Sequence, residues 1–221
     1  MKRTATFFAA LIFLGSYGCA LLDQSISVKT GALQGRIEDN VYISPTESFR
    51  VRLPRLSNNG VEITDEMPSE STLRLVIKDD LCREFSISER PGFLGTKSLR
   101  DWVNEHIVDP LKSADFKIES SKSIETRHGA VIALRYKVPG GAPCTAAGVK
   151  DGTPVETKLD ADVGWYVFFH EGTVYRLIYV LGLVDNNPGN VITRFLIKRE
   201  PVDEVLAEFA EGFDIVAIKS K

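Results

Sequence analysis

Two adjacent segments with apolar residues at almost every position constrain the fold of this chain most. They cover residues 163–170 and 173–181, and Glu171-Gly172 between them has the length of a tight hairpin turn. Side chains alternate between the two faces of a strand, so Trp165 and Tyr166 point in opposite directions. Because both faces are apolar, the pair is predicted to lie in the middle of a sheet that is covered on each side.

From residue 36 onward the pattern predicts mostly strands joined by hairpins. Further strands are predicted at residues 37–43, 49–53, 73–77, 81–87, 116–126 and 130–138. The polar residues 54–70 are predicted to form a loop. Residues 190–199 fit a helix or a strand, and both assignments stay open.

Two helices are predicted to cover the sheet. Ser98 and Asp101 form a capping box at the start of the first helix, and Pro110 is expected to end it. The second begins at Pro201 and ends at Gly212. Hairpin-linked strands with helices packed on them predict an α+β fold on a mostly antiparallel sheet.

The first nineteen residues have the layout of a secretory signal peptide. Two basic residues precede the apolar run of residues 4–14, which is shorter than the roughly 20 residues that span a bilayer. A cysteine directly after a small residue is where bacterial lipoproteins are cut and acylated. Residues 1–18 are therefore predicted to be a signal peptide, and Cys19 is predicted to carry palmitate. Ser16 stands where such signals usually have leucine, so ordinary secretory cleavage remains the alternative.

The residues after Cys19 suggest where the protein resides. Ala20 stands where an aspartate commonly retains Gram-negative lipoproteins in the inner membrane. The resemblance to lipoprotein signals therefore implies that the protein is anchored in the outer membrane, facing the periplasm. Residues 19–35 are predicted to form a polar tether to a single domain of residues 36–221. The chain has 27 Lys and Arg against 30 Asp and Glu and no basic stripe, which argues against nucleic acid as a partner.

Acylation of Cys19 would leave two of the three cysteines, Cys82 and Cys144. Exported compartments permit disulfides, which favours a bridge between this pair. Such a bridge would stabilise the fold by about 4 kcal/mol on a chain-entropy basis. Two separate thiols are the alternative.

The chemistry-bearing residues predict no catalytic or metal site and no cofactor. Among the histidines, His106 is expected to be a packed or rim residue on the apolar stripe of its helix, His128 to be exposed at a hairpin tip, and His170 to belong to a turn. Asp160 and Asp162 share one face at the start of a strand, a spacing that suits a hard cation such as calcium. Solvated carboxylates are the simpler interpretation of that pair.

Two segments resemble the PsbP-like superfamily, an α/β/α sandwich named for an extrinsic photosystem II protein. They are YISPTESFRVRLP at residues 42–54 and VGWYVFFHEGTVYRLIYV at residues 163–180, the latter followed by a helix and Phe213. The resemblance covers about residues 36–213, and the glycine-rich residues 139–154 and the cysteine pair depart from it. It implies a sandwich fold and an accessory or assembly role without catalysis.

The function expected is therefore that of a membrane-anchored envelope lipoprotein that binds another envelope protein. One alternative is a carrier or sensor of a small apolar ligand held between sheet and helices. A second is an envelope hydrolase, which would require His106, His170 and an acid to converge in one cleft.

Replacing Cys19 with alanine is expected to abolish palmitate labelling and membrane attachment, because the acyl chains supply the anchor. The circular dichroism spectrum should stay unchanged, since the anchor lies outside the domain. Metabolic labelling with palmitate and membrane fractionation provide the measurement, with Ser16→Ala as the matched control that keeps the label. An unlabelled wild-type chain would contradict the lipoprotein prediction.

Overall fold

The computed structural model describes residues 28–30, 33–54, 61–69, 72–79, 83–92, 94–144, 149–150, 153–154, 157–183 and 201–216. The strands are β1 (Val28–Thr30), β2 (Arg36–Glu38), β3 (Val41–Ile43), β4 (Phe49–Arg52), β5 (Val61–Ser69), β6 (Thr72–Asp79), β7 (Arg83–Pro91), β8 (Lys117–Thr126), β9 (Gly129–Cys144), β10 (Val149–Lys150), β11 (Thr153–Pro154), β12 (Thr157–His170), β13 (Thr173–Leu183) and β14 (Phe213–Ile215). The helices are α1 (Leu99–Val103), α2 (Asp109–Ser113) and α3 (Val202–Glu211), and a π-helical segment, Asn104–Val108, joins α1 to α2. Residues 190–199 lie outside the described residues, so their assignment stays open.

An eight-stranded main sheet has the order β1-β5-β6-β7-β13-β12-β9-β8. Its neighbours are antiparallel except for the parallel pair β1 and β5. A four-stranded sheet has the order β14-β4-β3-β2. The predicted α+β class, a mostly antiparallel sheet with helices packed on it, is confirmed. The hairpin β12–β13 lies in the middle of the main sheet, as predicted from its two apolar faces.

One side of the main sheet packs against α3 and the four-stranded sheet, and we call it the packed face. Its core residues are almost fully buried: Tyr42, Phe49, Leu75, Ile77, Phe85, Tyr179, Leu206, Phe209 and Phe213. The Phe85 ring stacks on Tyr179 with centroids 4.6 Å apart, and Phe209 of α3 lies 4.9 Å from Phe85. A Cβ at Gly164 would lie 2.6 Å from Cγ1 of Val202, so glycine lets α3 approach β12 closely.

Among the described residues, helix covers only part of the other side of the main sheet, and we call this side the half-open face. Trp102, Val103 and Ile107 pack there against Ile132 and Val167. The capping box is confirmed at the start of α1. The Ser98 hydroxyl accepts a hydrogen bond from the Asp101 N–H at 3.1 Å.

Pro110 does not end the first helix, which continues to Ser113. The Asp109 N–H donates to the carbonyl of Asn104, five residues earlier, so the π-helical segment shifts the bonding pattern just before the proline. Pro110 then takes an early position in α2, where a missing N–H is tolerated. The predicted stop was wrong because it assumed one uninterrupted α-helix.

The prediction that residues 54–70 form a loop was wrong for residues 61–69, which form β5. Val61 and Ile63 point inward, and the next inward position is Asp65, which is only 8% exposed. A carboxylate at a buried position interrupts the apolar alternation from which strands are predicted.

Asp65 binds three donors at the beginning of the fold. Its carboxylate accepts hydrogen bonds from the N–H groups of Gln34 and Gly35 and from the Tyr42 hydroxyl, each at 2.7 Å. Burial raises the pKa of Tyr42, so its hydroxyl stays protonated and donates. With β1 paired to β5, the described fold begins within residues 19–35, the stretch predicted as a tether.

Asp65→Ala is expected to lower the free energy of unfolding by about 3 kcal/mol, because it leaves the buried Tyr42 hydroxyl and two partly buried N–H groups without an acceptor. Tyr42→Phe is the matched control, since it removes one donor and leaves two on the carboxylate. It should cost about 1 kcal/mol. Urea unfolding measures both, and equal losses would show that the backbone donors contribute nothing.

Candidate functional site

The half-open face exposes charged side chains on β6 and β7, beyond the area covered by α1. The side chains of Arg74 and Lys78 on β6 are 55% and 46% exposed. We call this part of the face, formed by β6, β7 and the adjoining middle of β13, the open half.

Three arginines from three strands meet on the open half. Arg74 on β6 is in register with Ser88 on β7, and Ser88 is in register with Arg176 on β13. Neighbouring strands lie about 4.8 Å apart, so the row spans about 10 Å. Arg90 lies two positions beyond Ser88 on the same face of β7. We call Arg74, Arg90 and Arg176 the arginine cluster.

Aromatic rings and one hydroxyl hold two of these arginines in place. The Arg176 Nε donates to the Ser88 hydroxyl at 2.8 Å, and its guanidinium carbon lies 5.6 Å from the centroid of the Trp165 ring. The guanidinium carbon of Arg90 lies 5.3 Å from the centroid of Trp102. Both distances are in the range of cation–π contacts. The α1 helix supplies Trp102, so the cluster lies where α1 meets the open sheet.

The positive charge of the cluster is only partly balanced. Glu84 lies 3.9 Å from Arg74 and 3.5 Å from Lys78. Within the part of the chain that the structure describes, neither Arg90 nor Arg176 has a carboxylate in ion-pair distance. Burial, together with the positive charge of Arg90, lowers the pKa of Arg176 to about 10.

Arg135 on the packed face shows how the same fold balances a structural arginine. Its Nε and Nη2 donate to the two carboxylate oxygens of Asp162 at 3.0 and 2.6 Å. Glu119 and Asp203 lie 3.5 and 3.7 Å away. The hydrogen bond to Asp162 raises the pKa of Arg135. Arg176 lacks this arrangement, although its strand β13 is separated from β9 only by β12.

The structure places Asp160 and Asp162 on different partners. Asp162 binds Arg135, whereas Asp160 accepts a hydrogen bond from the Gly140 N–H at 2.9 Å. A cation between the two aspartates is therefore not supported. No group of three or more His, Cys, Asp or Glu suited to a metal is found among the described residues.

Two histidines lie where the sequence predicts them. The His106 ring stacks on Trp102 at 4.5 Å, and its Nδ1 donates to the Trp102 carbonyl at 2.9 Å. His170 is the last residue of β12, directly before the turn, and its side chain is 41% exposed and lies 3.9 Å from Glu171.

The prediction that His128 is exposed was wrong. Its ring stacks on Phe168 at 5.3 Å and lies edge-on to Phe213 at 5.5 Å. Burial lowers the pKa of His128, which opposes its protonation. The tip of hairpin β8–β9 folds onto the packed face, because Arg127 binds the Phe213 carbonyl and pairs with Asp214 at 2.9 Å.

Two of the three predicted cysteine sites lie outside the described residues. These are Cys19 and Cys82, while for Cys144 the structure describes only the backbone, paired with Thr157. The lipid at Cys19 and the bridge between Cys82 and Cys144 therefore remain predictions. Across the described stretches, no helix combines the length and the apolar character needed to cross a bilayer.

A cleft of about 720 Å³ lies between α3, β4 and β7. Charged residues line it beside the aromatic rings of Phe85 and Phe209, among them Arg52, Glu204 and Glu208. Sites for apolar ligands are lined mainly by hydrophobic side chains. The lining of this cleft therefore does not favour the apolar ligand that was considered as an alternative.

No family model matches the chain, and no curated protein matches it. Among solved structures, the chain is similar to the solution structure of cyanobacterial PsbP (CyanoP) from Synechocystis sp. PCC 6803. The identity is 11% and the TM-score 0.46, over 80% of this chain and 91% of that one. That protein bears the name of the superfamily that the sequence resembles.

A second similar structure is a crystal structure from Bacteroides thetaiotaomicron VPI-5482. The identity is 12% and the TM-score 0.43, over 84% of this chain and 51% of that one. This chain therefore spans about half the length of that protein. The α+β class rests on the strands and helices described above, and these two likenesses carry no argument about function.

Arg176→Met is expected to leave the free energy of unfolding unchanged or to raise it, because it removes a half-buried cation that no acid balances. Arg135→Met is the matched variant on the packed face, and it should lower the free energy of unfolding by about 2–4 kcal/mol because Asp162 loses its partner. Urea unfolding at neutral pH compares the two. Equal losses would mean that Arg176 is as structural as Arg135.

Proposed function

We propose that this chain is a non-catalytic accessory protein of the bacterial cell envelope that binds an acidic segment of another envelope protein through its open half. In this proposal a lipid on Cys19 anchors it, with the outer membrane facing the periplasm as the expected location. The observation that carries the proposal is the arginine cluster, in which Arg90 and Arg176 have no acidic partner within the described fold.

The placement of the cluster supports binding at a surface. Arg74 is more than half exposed, and Arg176 reaches toward the same surface from the central strand β13. The row from Arg74 to Arg176 spans about 10 Å of a sheet. An extended acidic segment can present carboxylates over that distance, and charge complementarity of this kind favours both specificity and fast association.

A membrane anchor would strengthen such binding. Anchoring two partners at one surface raises their effective concentration without any new contact. A modest interaction at the open half is then sufficient to keep them together.

Photo-crosslinking in cells tests this proposal. A photoreactive residue in place of Lys78 should form an adduct with one envelope protein, through a peptide rich in Asp and Glu. The same residue in place of Lys117, an exposed position on β8, is the matched control and should not form that adduct. The charge reversals Arg74→Glu and Arg90→Glu should remove the adduct.

Two results would contradict the proposed function. One is the same adduct from positions 78 and 117. The other is a crosslinked peptide without acidic residues whose yield is unchanged by the charge reversals.

A further inference from the structure

We propose that Arg90, Arg176 and the Ser88 hydroxyl, with Arg74 at their side, form a binding site for a single oxyanion group, either a carboxylate or a phosphate. This proposal rests on the proposed function, which places the binding surface on the open half. It deepens that function by assigning the chemical group that the surface recognises. It concerns the junction between α1 and the open half.

Unused hydrogen-bond donors are the first argument. A guanidinium has five N–H donors, and Arg176 uses its Nε on Ser88. Its two terminal nitrogens have no hydrogen-bond partner in the described parts of the chain. Arg90 makes a cation–π contact with Trp102, which consumes no N–H donor. Planar groups of N–H donors match the two oxygens of a carboxylate or phosphate.

The fixed position of these donors is the second argument. Ser88 is 8% exposed and holds Nε of Arg176 at 2.8 Å. The guanidinium carbon of Arg176 lies over the Trp165 ring, 5.6 Å from its centroid. The guanidinium carbon of Arg90 lies over the Trp102 ring, 5.3 Å from its centroid. A ligand would therefore find donors that are already ordered, and less conformational entropy is lost on binding.

Local charge is the third argument. Arg90 and Arg176 are both partly buried, and the positive charge of Arg90 adds to burial in lowering the pKa of Arg176. The acid Glu84 on this face pairs with Arg74 and Lys78 rather than with Arg90 or Arg176. A bound oxyanion would supply the missing negative charge, as Asp162 does for Arg135 on the packed face.

The chemical class follows from these groups. The site offers N–H donors, one hydroxyl and positive charge, and the two rings are already in contact with Arg90 and Arg176. An apolar ligand would leave the donors unpaired, and a cation would be repelled. A carboxylate or phosphate satisfies both the donors and the charge.

Intrinsic fluorescence provides the experiment, because the two tryptophans of the chain are the two that contact the cluster. The full-length protein, purified in a nonionic detergent, is titrated with inorganic phosphate, and in a second arm with succinate. Sodium chloride keeps the ionic strength constant. We expect a saturable change in emission with half-saturation at or below about 1 mM in at least one arm. The ratio between the two arms tells phosphate from carboxylate.

Matched variants locate the binding. Arg176→Gln should weaken binding about tenfold or more, and Arg176→Lys should weaken it less, since it keeps the charge and loses the planar donors. Arg50→Gln is the control, because Arg50 is an exposed arginine on β4. It should leave the midpoint within about twofold of the wild type.

A second measurement does not depend on the variants. Bound anion stabilises the folded state, so phosphate or succinate should raise the melting temperature of the wild-type protein above that in sodium chloride of equal ionic strength. The proposal is overturned if emission and melting temperature follow ionic strength alone. It is also overturned if Arg50→Gln weakens binding as much as Arg176→Gln.

The anion titration and the crosslinking experiment test the oxyanion site and the protein partner separately. Absence of anion binding together with a Lys78 crosslink to an acidic segment would reject the oxyanion site and keep the partner. Saturable anion binding without any crosslink would keep the site and reject the protein partner.

Discussion

The burial of hairpin β12–β13 on both of its faces is the constraint on which the rest of the structure depends. Phe168 meets Tyr175 and Phe213 on the packed face, while Val167 lies under α1 on the half-open face. Because neither face of this pair can be left in water, one helix and a second sheet are needed on one side and a further helix on the other. The order of the strands follows, with β7 and β9 flanking the pair.

Within this mostly apolar hairpin, Arg176 is a partly buried cation without a carboxylate in ion-pair distance among the described residues. A partly buried cation without an acid destabilises the protein, and such a group persists where function needs it more than stability does. Arg135, one strand beyond β12, is surrounded by Asp162, Glu119 and Asp203. The fold can therefore neutralise an arginine, and the contrast between the two positions is the basis of the binding role proposed for the open half.

Elements determined by neighbouring residues could be predicted from the sequence. The central hairpin, the capping box at Ser98 and the helix α3 follow from alternation, spacing and end signals. Features that depend on partners far away along the sequence could not be predicted in this way. Strand β5 contains Asp65, whose hydroxyl partner Tyr42 lies 23 residues away, and the tip of hairpin β8–β9 is held by a contact that spans 86 residues. The arginine cluster combines three strands, and only the isolated Arg176 in an apolar segment signals it.

The hydrogen bonds that the Asp65 carboxylate accepts also bear on how the protein would respond to a pulling force. A lipid at Cys19 would transmit any pull to the amino-terminal end of the fold. There β1 runs parallel to β5, so tension along the strand acts on their hydrogen bonds together rather than one after another. The carboxylate of Asp65 adds bonds to Gln34 and Gly35 directly behind this strand. Movements of the membrane would thus reach the main sheet through a reinforced joint, on the strand β5 that lies directly beside the open half.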